Sequence, residues 1–333
     1  MTGKNQFILI LLISLLSSCI GDSYIQPEQD GDKSMMTVMV DTKAQGPSAI
    51  VNHVQMMIFD EAGSLEQNVM SSNLVLNVSV RTGKKRIAIV ANAERLNCTN
   101  FNSLLNYRFN LEDNNTVDDN EFQMVGYAES DIIVSKDPIS IKVSLERVVS
   151  KIHVNTIQNL MPSTIGPIKL TMIYLSNVPA QTPVLMPKEE QWSCDRWMNI
   201  AGRVKDSDRI ISDPSEVQMQ TLTCRPIMKD LHSGETISIL QNMYTFPNLM
   251  GTDVIAPNKP GKTRLVIETI IQDKKYWYPI TIEVPERNIL TTYSIKINNV
   301  GSDDPAIPVM SNAITTNWEV APWDKGPDYI ENI

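Results

Sequence analysis

Ile139, Ser140, Ile141, Lys142, Val143, Ser144 and Leu145 alternate strictly between apolar and polar. A backbone that turns its side chains to opposite faces at every step reads such a pattern as a strand with one buried face. The same grammar runs through most of the chain beyond Met35. Short runs rich in Val, Ile and Met span Met36 to Asp41, Val54 to Phe59, Leu74 to Val80 and Arg86 to Ala91. They resume at Ile152 to Asn155, Ile168 to Leu175, Ile237 to Tyr244, Leu265 to Ile271, Trp277 to Val284 and Tyr293 to Ile297. Turn signals separate them: Gly46 with Pro47, Asp60 to Gly63, Thr82 with Gly83, and Asp137 with Pro138. Only Glu94 to Phe109 reads as helical, as one or two short helices. The expectation is an all-β protein built of sandwiches, with little helix.

Proline divides the chain. Three prolines precede residue 150 and the other sixteen follow it, together with all five tryptophans. With 333 residues and roughly 100–200 residues per domain, two domains meeting near residue 150 are expected, 36–149 and 150–333. Pro179 to Ser215 holds few strand signals and reads as a long surface loop, a common place for binding residues. No fixed-period repeat is visible.

At the amino terminus Lys4 precedes an apolar run from Phe7 to Leu16. About ten residues fall short of the roughly 20 that a membrane-crossing helix needs, so residues 1–18 read as a signal peptide. Leu16, Ser17, Ser18 and Cys19 resemble the bacterial lipobox, which implies cleavage before Cys19 and lipid attachment to its thiol. More than one acyl chain, at about 0.8 kcal/mol per buried methylene, would tether the folded body to a bilayer stably. Residues 19–35, with Pro27 and Gly31, then read as a flexible spacer.

Most chemistries are short of material. The chain has 29 Lys+Arg against 38 Asp+Glu, a formal charge of -9, which argues against nucleic acid as a partner. Its 3 His are scattered, none with a second His or carboxylate at ligand spacing, so no metal and no cofactor is expected. Glu112 to Glu121 is acidic but lacks the glycine and terminal Glu of a calcium loop, and reads as solvated. Arg81 to Arg86 reads as a hairpin around Gly83 with solvated charges. No phosphate loop or serine nucleophile elbow is present, so no catalytic residues are assigned and the chain is read as not an enzyme. A hydrolase reading has no residues behind it. Cys98, Cys194 and Cys224 remain after Cys19. Outside the cell Cys194 and Cys224 are candidates for a disulfide that leaves Cys98 odd, and three unpaired thiols are the alternative. Trp192 and Trp197, in the long loop, are candidates for stacking on a sugar, with packing into the core as the alternative.

Several segments resemble one family in order. Val54 to Gly63 is similar to the strand and Phe-Asp-x-x-Gly turn that opens many fimbrillin-type lipoproteins of the type V pilus. Gly83 to Ala93 resembles that family's Ala-Asn strand end, at Ala91 and Asn92. Leu145 to Val154, with Arg147 and Lys151, looks like its Arg-x-x-x-Lys strand. Arg287 and Asn288, then Tyr293 to Ile297 and Trp318 to Trp323, are similar to its closing strands. The resemblance implies two tandem Greek-key, transthyretin-like β-sandwiches with short helices in loops. It also implies a subunit of a cell-surface fimbrium that reaches the outer membrane as a lipoprotein. Stalk subunits of that family are cut after an Arg before the first strand, and the groove so opened takes an extended segment of the next subunit.

The first Arg here is Arg81, and only Lys33 precedes the first strand. That departure implies a subunit that keeps its lipid, the anchor or a minor subunit, with other fimbrial subunits as partners. A stalk or tip pilin is the alternative. A non-fimbrial adhesin that binds a host protein or glycan is the other.

Overall fold

Strict alternation becomes two-layered sheet wherever one face of a strand meets a core. The computed structural model describes residues 32–42, 50–114, 121–199, 222–251, 260–283, 285–307, 309 and 312–323. In chain order the first strands are β1 (Lys33–Thr42), β2 (Val54–Phe59), β3 (Leu65–Ser71), β4 (Val75–Arg81) and β5 (Gly83–Ala91). A short helix α1 (Phe101–Asn106) follows, then β6 (Arg108–Asn110), β7 (Met124–Ile132) and β8 (Ile139–Arg147). Next come β9 (Ser150–Asn159), β10 (Ile168–Ser176), β11 (Val178–Pro179), β12 (Gln181–Pro183) and β13 (Trp197–Met198). The last are β14 (Cys224–Leu231), β15 (Thr236–Thr245), β16 (Arg264–Ile271), β17 (Lys274–Thr281), β18 (Ile289–Ile297) and β19 (Ile314–Pro322).

The first seven long strands form one sheet in the order β3-β2-β5-β7-β8-β1-β4. Its middle is nearly cut through, because β7 and β8 pair only at Met124 with Arg147 and Val125 with Glu146. Either side of that hinge the sheet folds over on itself. Met36, Val38 and Val40 of β1, Val78 of β4 and Val143 of β8 meet Met56 and Ile58 of β2 and Ile87 and Ile89 of β5 in one buried cluster. The side chain of Gln67 on β3 donates to the carbonyl of Ser79 on β4 at 2.9 Å, so the two outermost strands meet.

Both faces of β2 are covered, so all six of its residues are buried and its sequence does not alternate. Its second face packs, through Met57 and Phe59, against Leu96, Leu104 and Leu111 around α1. The helix is held by a reciprocal cap: Asn100 accepts from the amide of Ser103 at 2.8 Å, and the Ser103 hydroxyl accepts from that of Asn100 at 3.1 Å.

After residue 150 two four-stranded sheets, β14-β10-β16-β17 and β15-β9-β18-β19, enclose a second core. Ile152 and Val154 of β9, Leu170 and Ile173 of β10, Leu265 and Ile267 of β16 and Tyr293 and Ile295 of β18 lie in it. This core continues without a break into Met57, Phe59 and Phe122 of the first half. Each half contains a parallel pair, β1 with β8 and β9 with β18.

Part of the expected surface loop beginning at Pro179 is structured instead. Strand β12 pairs with β6 of the first half, setting Gln181 against Asn110 and Thr182 against Phe109. Strands β11 and β13 pair antiparallel at the two ends of the segment. The physical reason is that backbone polar groups lying against a core need partners, and β6 supplies them. Residues 200–215 of that loop lie outside the described residues.

Candidate assembly site

Strand β1 is the central strand of the layer β4-β1-β8. It pairs antiparallel with β4, from Lys33 opposite Arg81 to Met39 opposite Val75, and parallel with β8, from Met36 opposite Ile139 to Thr42 opposite Leu145. Ser34, Met36, Val38 and Val40 are buried, whereas Met35 and Met39 face outward. The buried Ser34 hydroxyl donates to the carbonyl of Ile133 at 2.9 Å. Burying Met36, Val38 and Val40 contributes on the order of 5–9 kcal/mol, which is comparable with the net stability of a whole domain. A chain deprived of β1 would therefore expose a slot between β4 and β8, with unpaired backbone on both sides, that another strand must fill. Lys33 is the first residue of β1 itself, so a cut there falls at the strand's edge. A cut after Arg81 falls between β4 and β5.

The segments that carried the resemblance prove to be the joints of the fold. Gly63, at φ 85°, closes a turn in which the amides of Gly63 and Ser64 donate to the backbone and side-chain oxygens of Asp60 at 3.0 and 2.8 Å. Asn92, at φ 56°, ends β5 in the left-handed region that asparagine tolerates. Its side chain donates to the carbonyls of Ile50 and Phe122 and accepts from the amide of Asn52.

Between the halves, Arg147, Lys151, Asn288 and Trp323 converge. Arg147 is fully buried, its Nη1 donating to Oδ1 of Asn288 at 2.9 Å and its guanidinium 4.4 Å above the Trp323 ring. Lys151 approaches the same ring at 5.5 Å. Trp323 stacks on Tyr244 at 5.6 Å and meets Phe122 edge-on at 5.2 Å. Asn288, again at positive φ, donates its amide to the carbonyl of Val149 and accepts from the amide of Trp323. Four residues from three well-separated stretches of sequence thus make one clasp. Their chemistry is packing and hydrogen bonding; the residues present no substrate-facing group.

Trp192 and Trp197 lie together, ring centroids 6.0 Å apart and edge to face, each half-buried. Trp197 donates its indole N–H to the carbonyl of Cys194 at 2.8 Å. Cys98, Cys194 and Cys224 are free thiols in the structure. Cys194 Sγ donates to the Arg196 carbonyl at 2.9 Å, while Cys224 opens β14 opposite Tyr174, so the two candidates for pairing are held on different elements. Burial pushes both thiols above their ordinary pKa, favouring the protonated form. Cys19 lies outside the described residues.

The basic segment departs from its expected solvated hairpin. Lys84 is exposed and pairs with Glu61 at 3.4 Å, but Lys85 is buried and pairs with Glu66 at 2.9 Å. Arg86 lies 4.8 Å over the ring of Phe101. The reason is strand alternation: on β5 the Lys85 side chain falls on a covered face. Nothing in the run Lys84, Lys85 and Arg86 marks which one is inside. Among the described residues no three His, Cys, Asp or Glu converge as a metal set, and no helix is long and apolar enough to cross a membrane.

No protein-family model and no curated protein matches the chain. Solved structures do. A candidate cell adhesion protein of Bacteroides eggerthii superposes with a TM-score of 0.65 at 18% identity, over 88% of this chain and 97% of that one. Fimbrilin FimA of Porphyromonas gingivalis gives 0.58 at 11% identity, over 87% and 97%. The tip fimbrial protein Mfa3 of the same organism, truncated at its C-terminus, gives 0.53 at 14%, over 87% and 100%. The class is therefore defined by fold: an all-β protein sharing its architecture with bacterial cell adhesion and fimbrial proteins.

Proposed function

We propose that the chain is a lipid-anchored subunit of a cell-surface fimbrium, its anchor or a minor subunit, and that it joins other subunits by β-strand exchange. In this reading Cys19 carries the lipid that fixes the protein to the outer membrane, residues 19–35 span from it, and two Greek-key sandwiches meet near residue 150. The chain works through sheet edges and does not transform a substrate. The observation that carries the reading is β1. This strand lies built into the first sandwich, and no Arg precedes it, so an Arg-specific protease has no site there that would free the slot between β4 and β8. A subunit that keeps its first strand can lend strands or edges but leaves its own slot filled.

Intact mass and N-terminal analysis of protein taken from the cell surface test this. A mature chain starting at acylated Cys19 and co-purifying with pilins is expected. A start near residues 34–36 would assign the chain to the polymerising stalk instead. A second reading, a glycan-binding adhesin that forms no fibre, draws support from the half-exposed Trp192 and Trp197 pair. Glycan binding lost on changing either tryptophan, with no co-purifying pilin, would favour it.

A further inference from the structure

A cleft of about 660 Å³ opens where β7 and β8 diverge, and both halves of the molecule line it. Phe101 and Leu105 of α1 and Val125 and Tyr127 of β7 make one side, Lys142, Ser144 and Glu146 of β8 another, and Leu185, Met186 and Arg287 come from the second half. Gly126 sits where the strands part: a Cβ there would lie 2.7 Å from Val143 Cγ1 and 2.9 Å from the Ser144 carbonyl. Only glycine lets the strands approach so closely before they separate.

Arg287 is the anomaly in this cleft. Its guanidinium donates to the carbonyl of Val184 at 2.8 Å, to Oγ1 of Thr182 at 3.1 Å and to the carbonyl of Pro183, all neutral oxygens. Its Nε is buried without a partner. Burial, opposed by attraction to Glu146, pulls its pKa from the ordinary guanidinium value down to about 10, so it remains a cation at neutral pH. A desolvated guanidinium bonded to neutral oxygens alone is costly, and a negative charge placed close to it offsets part of that cost. Lys142 of the lining is bound to Asp41 at 2.8 Å, which balances its charge, so Arg287 is the cation of the lining that only Glu146 opposes. The volume is that of a small-molecule site, and the mixture of rings, aliphatic chains and a few polar groups is what such sites present.

We propose that this cleft binds a small carboxylate ligand with an apolar flank, its acid group drawn to Arg287 and its body against Phe101, Leu105 and Met186. The acid group has two chemical sources, an acidic sugar or an amino acid. The test titrates the full mature chain by calorimetry with N-acetylneuraminic acid, with N-acetylleucine and with the methyl ester of each. At least one acid is expected to bind at least about tenfold more tightly than its ester, and which acid does so names the source. Arg287→Gln is expected to abolish that preference. Leu105→Trp, which fills the cleft from an exposed helix position, is expected to weaken binding at least about tenfold and keeps the test open if the Arg287 variant does not fold. Failure of both acids to outbind their esters, or binding unchanged by Leu105→Trp, overturns the proposal. Neither result bears on assembly into fibres, which is read separately by co-purification.

Discussion

The Arg147 guanidinium lies 4.4 Å above the ring of Trp323 while its Nη1 donates to Asn288 at 2.9 Å, closing the two halves of the molecule around one buried cation. A charged hydrogen bond contributes about 1.5–3 kcal/mol and a desolvated cation over an indole about 2 kcal/mol. Arg147→Met is therefore expected to destabilise the chain by roughly 2–4 kcal/mol in urea denaturation. A change below about 0.5 kcal/mol would show that the clasp holds nothing.

Strand β1 offers a paired comparison. Val38 is fully buried and Met39 is 41% exposed, one step along the same strand. Val38→Asp places a carboxylate in a dry core and is expected to cost about 4 kcal/mol or more, and Met39→Asp no more than about 1 kcal/mol. Equal losses, measured by chemical denaturation, would contradict the register of β1.

Lys85 and Glu66 form a pair whose side chains are 3% and 10% exposed. Lys85→Met strands the Glu66 carboxylate and is expected to cost about 3–5 kcal/mol. Adding Glu66→Leu removes the stranded charge, so the double variant is expected to recover most of that loss. A double-mutant cycle with no coupling would refute the pairing.

Burial lowers the pKa of His153 below its ordinary 6.5, with Lys151 acting in the same direction and the hydrogen bond to Asn242 against it. The unfolded chain then binds a proton that the folded chain resists. The contribution of His153 to stability is complete above pH 6.5 and is lost as pH falls from 6.5 through the lower folded value. His153→Gln is expected to flatten the unfolding midpoint over that window while leaving it little changed at pH 8. A variant that keeps the acid slope would show that other groups produce it.

Cys19→Ala is expected to free the protein from the envelope, or to leave it unprocessed, with the fold intact by circular dichroism. Fractionation that still finds the variant in the membrane would rule out lipid as the anchor.

How much could be read from the residues differs by element. Val54–Phe59 and Ile139 onward were legible because a strand's own side chains report which faces are covered. Strand β3, Leu-Glu-Gln-Asn-Val-Met-Ser, was not, because its place at the edge of the sheet is set by pairing with β2 and demands little of its side chains. Strand β14, whose outer residues are exposed, escaped for the same reason. Within Glu94 to Phe109, where one or two short helices were expected, the helix occupies only Phe101–Asn106, started by the cap at Asn100.

By itself the sequence determined the all-β class, the change of character near residue 150 and the segments that matter, since alternation, turn residues and proline act over a few neighbours. Tertiary structure alone decided that Arg147, Lys151, Asn288 and Trp323 make one clasp, that Lys85 is inside, that the segment after Pro179 docks on β6, and that Arg287 faces a cleft. Burial and partnership are properties of where distant strands meet, and a local pattern carries no record of what the far side of a sheet will be packed against.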